Sequence, residues 1–137
     1  MSVAGVLQLI KEKNIDWVDF RFIGLSGKAQ HITLPASEVS EETFVTGVAF
    51  DGSSIPGFRG IEKSDMVMMP DAGTAFVDPF TAHPTLVVLC NILTPEGEPY
   101  DRDPRGIAIR AEEYLKSSGI GTAAYFGPES EFFIFDD

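Results

Sequence analysis

Two glutamates near the end of the chain have the residue type and spacing that favour metal chemistry. Glu129 and Glu131 are separated by one residue and precede the apolar run Phe132-Phe133-Ile134-Phe135. On a β-strand, residues i and i+2 point to the same face and lie about 6.5–7 Å apart. Two carboxylates on one apolar strand repel each other and resist desolvation. One or two hard divalent cations, such as Mg²⁺ or Mn²⁺, would relieve both effects because these ions prefer oxygen ligands.

Two other interpretations of this pair stay open on spacing alone. Glu-x-Glu is a common pattern, and both side chains are then solvated at the end of a strand. The separation also lies close to the range of about 6.5–9.5 Å between the acid and the base of inverting glycosidases, so a small two-carboxylate hydrolase is a further possibility. The sequence offers no sugar-stacking cleft for such an enzyme.

A second polar group opens a long segment rich in Gly, Pro and Ser, residues 51–73. The simplest interpretation of Asp51-Gly52-Ser53-Ser54 is a turn, because an Asp side chain can accept a hydrogen bond from the backbone two residues further on. Its functional interpretation is a carboxylate and a hydroxyl held at the tip of a packed loop, able to bind a cation or act as a base. Asp65 is expected to cap a helix or turn. Loops longer than about 12–15 residues are usually functional or disordered.

Composition narrows the functional classes. The formal net charge of −11 disfavours nonspecific binding to nucleic acid and to anionic membranes.

The single cysteine, Cys90, lies in an apolar run and is expected to be a buried residue in a reducing compartment. The N-terminus lacks a signal peptide pattern, and the longest apolar run is far shorter than the roughly 18 residues of a membrane span. We therefore expect a cytoplasmic protein.

Hydrophobic periodicity predicts the elements that position these residues. Apolar residues from Val3 to Ile10 follow the helical i, i+3, i+4, i+7 rule behind a Ser2 cap, and Asp103-Pro104 begins a second helix that Ser118-Gly119 ends. Alternation around a glycine-rich turn predicts a β-hairpin over residues 17–22 and 28–34. Further strands are predicted over residues 45–50, 74–77, 85–93, 122–126 and 129–135. This order predicts an α+β chain with a mixed sheet.

The apolar run at 132–135 requires a partner. Burying one such side chain contributes about 1.5–3 kcal/mol, and exposed apolar strands promote aggregation. We expect the run to pair with elements of a further domain that this chain lacks. The alternative is a fully covered strand within this chain.

Several ordered stretches of the chain together resemble bacterial type I glutamine synthetase. The N-terminal signature is Phe50-Asp51-Gly52-Ser53-Ser54, followed at the family's spacing by Lys63-Ser64-Asp65. The agreement extends to Val18-Asp19-Phe20-Arg21-Phe22, Tyr100-Asp101-Arg102-Asp103-Pro104-Arg105 and Tyr125-Phe126-Gly127-Pro128-Glu129-Ser130-Glu131-Phe132-Phe133. The family often has Trp at the position of Phe58, which keeps the apolar surface and lacks the indole N–H.

The resemblance implies a fold and a domain division. Residues 1–103 would form a β-grasp domain, a small mixed sheet with a crossing helix. Residues 104–137 would be the truncated beginning of the catalytic domain, with its first helix and strands.

The resemblance also implies a reaction. The family makes glutamine from glutamate and ammonia through a γ-glutamyl phosphate, with ATP as co-substrate and two Mg²⁺ or Mn²⁺ ions per site. Glu129 and Glu131 would each bind one metal ion. Asp51 would reach into the active site of a neighbouring subunit to hold ammonium and take its proton, and Ser54 would help bind that ion. Asp65 would lie near the same shared site.

The implied partners are glutamate, ammonium, ATP and the neighbouring subunits of a homo-oligomeric ring, expected to be a dodecamer; neither nucleic acid nor a membrane is expected. The family's remaining ligands and its nucleotide pocket would lie beyond residue 137, so we expect the 137-residue chain alone to be inactive. The alternative is a stand-alone β-grasp binding module, ubiquitin-like in class, with a covered C-terminal strand and no metal dependence.

Overall fold

The computed structural model describes residues 1–136. Its helices and strands follow one another along the chain as α1 (Val3–Glu12), β1 (Trp17–Ile23), β2 (Ala29–Pro35), α2 (Thr43–Thr46), β3 (Val48–Asp51), β4 (Asp65–Pro70), β5 (Phe76–Val77), β6 (Thr85–Leu93) and α3 (Pro104–Ser117). Single 3-10 turns fill several of the connections.

The strands form one mixed sheet in the order β2-β1-β6-β4-β3. The short strand β5 lies outside this order and pairs with β6. β1 and β6 run parallel at the centre, whereas the other pairings are antiparallel. The α+β class and the mixed sheet with a crossing helix are as predicted.

The core lies between one face of this sheet and α1. Val18 and Phe20 of β1 are buried on this face and stand opposite Leu86 and Val88 of β6, which are buried as well. Val6 of α1 is fully buried against this face. Ser2 caps α1 through its hydroxyl, which accepts a hydrogen bond from the Gly5 N–H. The helix predicted from Val3 to Ile10 is therefore confirmed, and so is the predicted hairpin, which β1 and β2 form as an antiparallel pair.

The opposite face of β1 carries a polar network around the buried carboxylate of Asp19. Its Oδ1 accepts hydrogen bonds from Thr33 Oγ1 and His31 Nδ1, each at 2.7 Å, and its Oδ2 lies 2.6 Å from Arg21 Nε. Arg21 also reaches Asp78 at 2.8 Å. Burial opposes ionisation of Asp19, but the hydrogen bonds from Thr33, His31 and Arg21 outweigh it and lower its pKa. The network joins β1, β2 and the segment that follows β5.

The strand predicted over residues 45–50 is only partly formed. Thr43–Thr46 make one helical turn, and the strand begins at Val48. Gly47 separates them with a φ of +76°, a conformation that favours glycine. A Cβ at Gly47 would also lie 2.7 Å from the Met68 carbonyl oxygen. The apolar run is thus interrupted by a residue that periodicity alone does not register.

The long loop predicted over residues 51–73 contains a strand. β4 (Asp65–Pro70) runs through it with Met66, Met68 and Pro70 buried and the intervening residues more exposed. This alternation is strand-like, but methionine has little β preference and the flanking Gly, Pro and Ser favour a loop. The prediction of one continuous loop was wrong for this reason.

The second long helix begins where predicted and is tied to the sheet. Asp103 is the N-cap of α3: its Oδ1 accepts the Arg105 N–H and its Oδ2 accepts the Ile92 N–H of β6, both at 3.0 Å. Arg105 pairs with Asp71 at 2.5 Å. The helix start predicted at Asp103-Pro104 is confirmed.

The strands predicted over residues 122–126 and 129–135 are not formed. Phe132, Phe133, Ile134 and Phe135 are between 78% and 88% exposed. A strand needs a neighbour for its N–H and C=O groups, and within residues 1–136 no strand pairs with this segment. The prediction of strands failed here, whereas the expectation that 132–135 lack a partner within this chain agrees with the exposure.

No helix of residues 1–136 combines the length and the apolar character that crossing a bilayer requires.

The Asp19 network gives a pH-dependent stability. Because the folded pKa of Asp19 lies below its ordinary value of 3.8, its contribution is complete above that value and is lost as the pH falls through the lowered pKa. We expect Asp19→Asn to lower the free energy of unfolding at pH 7 by about 1.5–3 kcal/mol. Urea denaturation at pH 7 and at pH 3 should show this difference shrinking at pH 3. Asp16→Asn, at an exposed carboxylate, is the matched control; a difference that is the same at both pH values would contradict the assignment.

Candidate functional site

The pairing of β3 with β4 places two of the predicted site residues side by side. Asp51 and Asp65 are direct partners in the antiparallel register. Gly52 and Ser64 form the next pair along the two chains, and the Gly52 N–H donates a hydrogen bond to the Ser64 carbonyl oxygen at 2.6 Å. Asp51 and Asp65 therefore occupy a non-hydrogen-bonded pair, in which the Cα atoms lie about 4.5 Å apart and the side chains approach closely. Asp65 is the first residue of β4, so the prediction that it caps a helix or turn was wrong.

The sheet's pleat turns both carboxylates away from the core. Met66 and Met68 of β4 are buried, so Asp65 projects to the opposite face. Both aspartates are exposed. β3 is an edge strand, which leaves this end of the sheet open to another molecule.

The Asp51 carboxylate is organised by the turn that follows it. Its Oδ1 accepts hydrogen bonds from the Ser53 N–H at 2.8 Å and the Ser53 hydroxyl at 2.6 Å. Its Oδ2 accepts one from the Ser54 hydroxyl at 3.1 Å. The hydrogen bonds from Ser53 are the largest cause that lowers the pKa of Asp51, with a smaller contribution from Ser54. The carboxylate is therefore ionised at neutral pH, and the Asp-Gly-Ser-Ser segment is the side-chain-closed turn that its composition predicts.

Gly52 anchors this turn against the core. A Cβ at this position would lie 2.8 Å from Met66 Cγ and 3.1 Å from the Ser64 carbonyl oxygen, and would also clash with Met66 Sδ. Because Met66 is 1% exposed, it has little room to withdraw. Only glycine lets the turn lie this close to β4.

The structure brings Asp51, Ser54 and Asp65 together but does not build a metal site around Glu129 and Glu131. Both glutamates are exposed and lie outside any strand. Across residues 1–136, no three His, Cys, Asp or Glu side chains are grouped so that they could hold a metal ion. Two carboxylates suit Mg²⁺ or Mn²⁺ in type, but two alone do not complete a site for these ions. The strand that was predicted to carry both carboxylates on one face is thus not formed in these residues.

Ser53 is the site residue that the sequence interpretation missed. It gives Asp51 two of its three hydrogen bonds, whereas the sequence predicted a role only for Ser54. The available signal was the Asx turn itself, in which the residue two positions after the Asp donates its N–H to the carboxylate.

Two family models match the chain. The model "Glutamine synthetase, beta-Grasp domain" matches residues 14–95, and "Glutamine synthetase, catalytic domain" matches residues 101–137.

Curated relatives match nearly the whole chain. It is 59% identical to the glutamine synthetase of Azotobacter vinelandii over 132 residues, which are 96% of this chain and 28% of that protein. It is 57% identical to the 3-hydroxylaminophenol mutase of Cupriavidus pinatubonensis over 136 residues, which are 98% of this chain and 29% of that protein. The chain thus spans less than a third of the length of these relatives.

A solved structure shares the fold. The structure of Plasmodium falciparum glutamine synthetase superposes with a TM-score of 0.78 at 25% identity, covering 87% of this chain and 23% of that one. The observed sheet is therefore one that this family contains.

The anchoring of Gly52 is testable by adding one methyl group. We expect Gly52→Ala to destabilise the protein by about 1–3 kcal/mol, because overpacking against Met66 and β4 forces the backbone to shift. Thermal unfolding should show a Tm several degrees below that of the wild type. Gly127→Ala is the control, since a Cβ at that position meets nothing within 4 Å. Equal Tm values for the two variants would show that the turn does not depend on this close approach.

Proposed function

The chain belongs to the glutamine synthetase family, and from that premise we propose that it is the N-terminal part of an enzyme that joins glutamate and ammonia with hydrolysis of ATP. The supporting observation is the match of one family model to residues 14–95, together with 56–59% identity to glutamine synthetases over nearly the whole chain. The reaction would proceed through a γ-glutamyl phosphate, which ammonia then displaces. The 137-residue chain alone is proposed to be inactive, because it spans less than a third of such enzymes.

We propose a domain division at residues 103 and 104. The two family models leave residues 96–100 between them, and α3 begins at Pro104. Exposed apolar side chains on α3 and in the run at 132–135 support this division. Ile107 of α3 is 48% exposed and Phe133 is 88% exposed, as expected of surfaces that the rest of a catalytic domain would cover.

Asp51 is proposed to serve the active site of a neighbouring subunit. Its carboxylate is ionised, exposed and held on an edge strand, three properties that a group acting outside its own subunit requires. An ionised carboxylate attracts ammonium and can accept its proton when ammonia attacks. Ser54 donates its only proton to Asp51, so its remaining lone pairs are free to accept a hydrogen bond from the same cation. Asp65 adds a second negative charge opposite Asp51.

Glu129 and Glu131 are proposed as two ligands of a larger metal site. Their carboxylates have the oxygen chemistry that Mg²⁺ and Mn²⁺ prefer. The described residues do not complete that site, so further ligands must come from the remainder of the protein. When bound, such ions would neutralise the charge of the transferred phosphoryl group.

The other proposed properties follow from the family. The intact protein would bind ATP and glutamate and assemble into a homo-oligomeric ring, a dodecamer, in the cytoplasm. Binding to nucleic acid or to a membrane is not part of the proposal.

Cys90 is buried, which raises the pKa of its thiol to about 12 and makes it a structural residue, as predicted.

The stand-alone binding module explains the structure less well. That alternative requires a covered C-terminal strand, whereas the aromatic side chains of residues 125–135 are 78% or more exposed. A soluble adaptor would not leave such a run uncovered.

An activity on 3-hydroxylaminophenol is a second candidate. The relative that carries this name is 57% identical to the chain, within the range shown by glutamine synthetases, so this segment does not separate the two activities. Incubating the purified full-length protein with 3-hydroxylaminophenol, and separately with glutamate, ammonium and ATP, distinguishes them.

The central role of Asp51 predicts a large kinetic effect. In the full-length protein, Asp51→Asn should reduce the rate of glutamine formation by about 10²–10⁴-fold, because the amide neither attracts ammonium nor accepts its proton. Glutamine and ADP formation are measured together at saturating ATP. Asp16→Asn, remote from the turn, should retain wild-type rates. A wild-type protein that forms no glutamine, or an Asp51→Asn variant that is fully active, would refute the proposal.

The metal assignment predicts a loss of binding that does not require turnover. Glu129→Ala and Glu131→Ala should each weaken Mn²⁺ binding to the full-length protein by tenfold or more, since even outer-shell partners of metal ligands typically contribute about 10–100-fold. Isothermal titration calorimetry with Mn²⁺ alone measures this. Glu12→Ala on α1 is the control, and unchanged binding in both test variants would remove these residues from the metal site.

A further inference from the structure

We propose that Ser53 is the positioning residue of the Asp51 carboxylate, and that it occupies Oδ1 so that Oδ2 is the oxygen presented to an ammonium ion. This inference rests on the proposed function of Asp51 and adds a residue to which the family resemblance assigned no role.

The two oxygens of Asp51 have unequal surroundings. Oδ1 accepts two hydrogen bonds from Ser53, from the backbone N–H at 2.8 Å and from the hydroxyl at 2.6 Å. Oδ2 accepts one longer bond, from Ser54 Oγ at 3.1 Å. A carboxylate oxygen has two lone-pair positions, so Oδ1 is fully used and Oδ2 keeps one position free. A cation that donates hydrogen bonds is therefore directed to Oδ2.

Ser54 completes the acceptor pair at that position. Its hydroxyl has one proton, which it gives to Oδ2, and two lone pairs that remain available. Asp51 Oδ2 and Ser54 Oγ thus present adjacent acceptors 3.1 Å apart. Ammonium, which has donors on every side and no acceptor, matches such a pair, whereas a ligand that brings acceptors would find no donor there.

The backbone of the turn is held by contacts other than the Ser53 hydroxyl, so this hydroxyl affects only the carboxylate of Asp51. Gly52 is held beside β4 by its N–H bond to the carbonyl oxygen of Ser64, the residue before β4, and it lies so close to Met66 that a Cβ would clash. The bond from the Ser53 N–H to Oδ1 does not depend on the side chain. Removing the hydroxyl should therefore preserve the turn while releasing one of the two hydrogen bonds that hold Oδ1.

The experiment compares Ser53→Ala and Ser53→Thr in the full-length protein. Ser53→Ala should raise the KM for ammonium about tenfold or more, the loss expected when a hydrogen bond to a charged group is removed. The KM for glutamate should stay unchanged and kcat should change little, because ammonium binding is weakened in ground and transition state alike. Ser53→Thr keeps the hydroxyl and should restore the ammonium KM. Ser26→Ala, in the exposed turn between β1 and β2, is the control.

Three results would overturn the inference. The first is an ammonium KM of Ser53→Ala equal to that of the wild type. The second is an equal rise in the KM for glutamate, which would indicate general structural damage. The third is a threonine variant as impaired as the alanine variant. Ser53→Cys, which keeps the volume but has only a weak donor, should behave like alanine and serves if the alanine variant does not fold. A wild-type protein that makes no glutamine would instead overturn the proposed function, and this inference with it.

Discussion

The burial of Met66 and Met68 is the constraint on which the candidate site depends. Side chains alternate between the two faces of a strand, so enclosing these methionines in the core turns Asp65 outward. The register with β3 then sets Asp51 opposite Asp65. A slip of one residue would exchange the two faces, placing carboxylates in the core and methionines in water. Apolar packing inside the domain thereby fixes where a charged pair stands on its outer edge.

The fold could be predicted from sequence wherever one pattern dominated. Caps at Ser2 and Asp103 located the starts of both long helices, and alternation located the hairpin strands β1 and β2. Prediction failed where local composition and tertiary packing disagreed. β4 lies in a segment rich in turn residues and is a strand only because its methionines meet β6 and the core. Residues 129–135 have a strong strand pattern, yet no strand within residues 1–136 lies beside them as the neighbour that a strand requires.

The candidate site was predictable in residue type but not in arrangement. Asp51 and Ser54 were identified from the turn and the resemblance, while their closeness to Asp65 depends on a strand that the sequence did not reveal. Ser53 was missed because a serine in an Asx turn is explained locally, and only the folded structure shows that both of its donors meet the same oxygen. The metal roles of Glu129 and Glu131 stay predictions, since two carboxylates need further ligands to form a metal site and residues 1–136 do not group them with any.

The central claim is that Asp51 acts in the active site of a neighbouring subunit while Glu131 acts in its own. It is tested most directly by co-assembling two full-length variants, Asp51→Asn and Glu131→Ala, each expected to be inactive as a pure ring. Mixed rings contain sites in which an intact Asp51 from one subunit meets an intact Glu131 from the next. If the claim holds, glutamine synthesis returns in mixed rings isolated by a different affinity tag on each variant. Mixed rings that stay as inactive as the parent variants would contradict it.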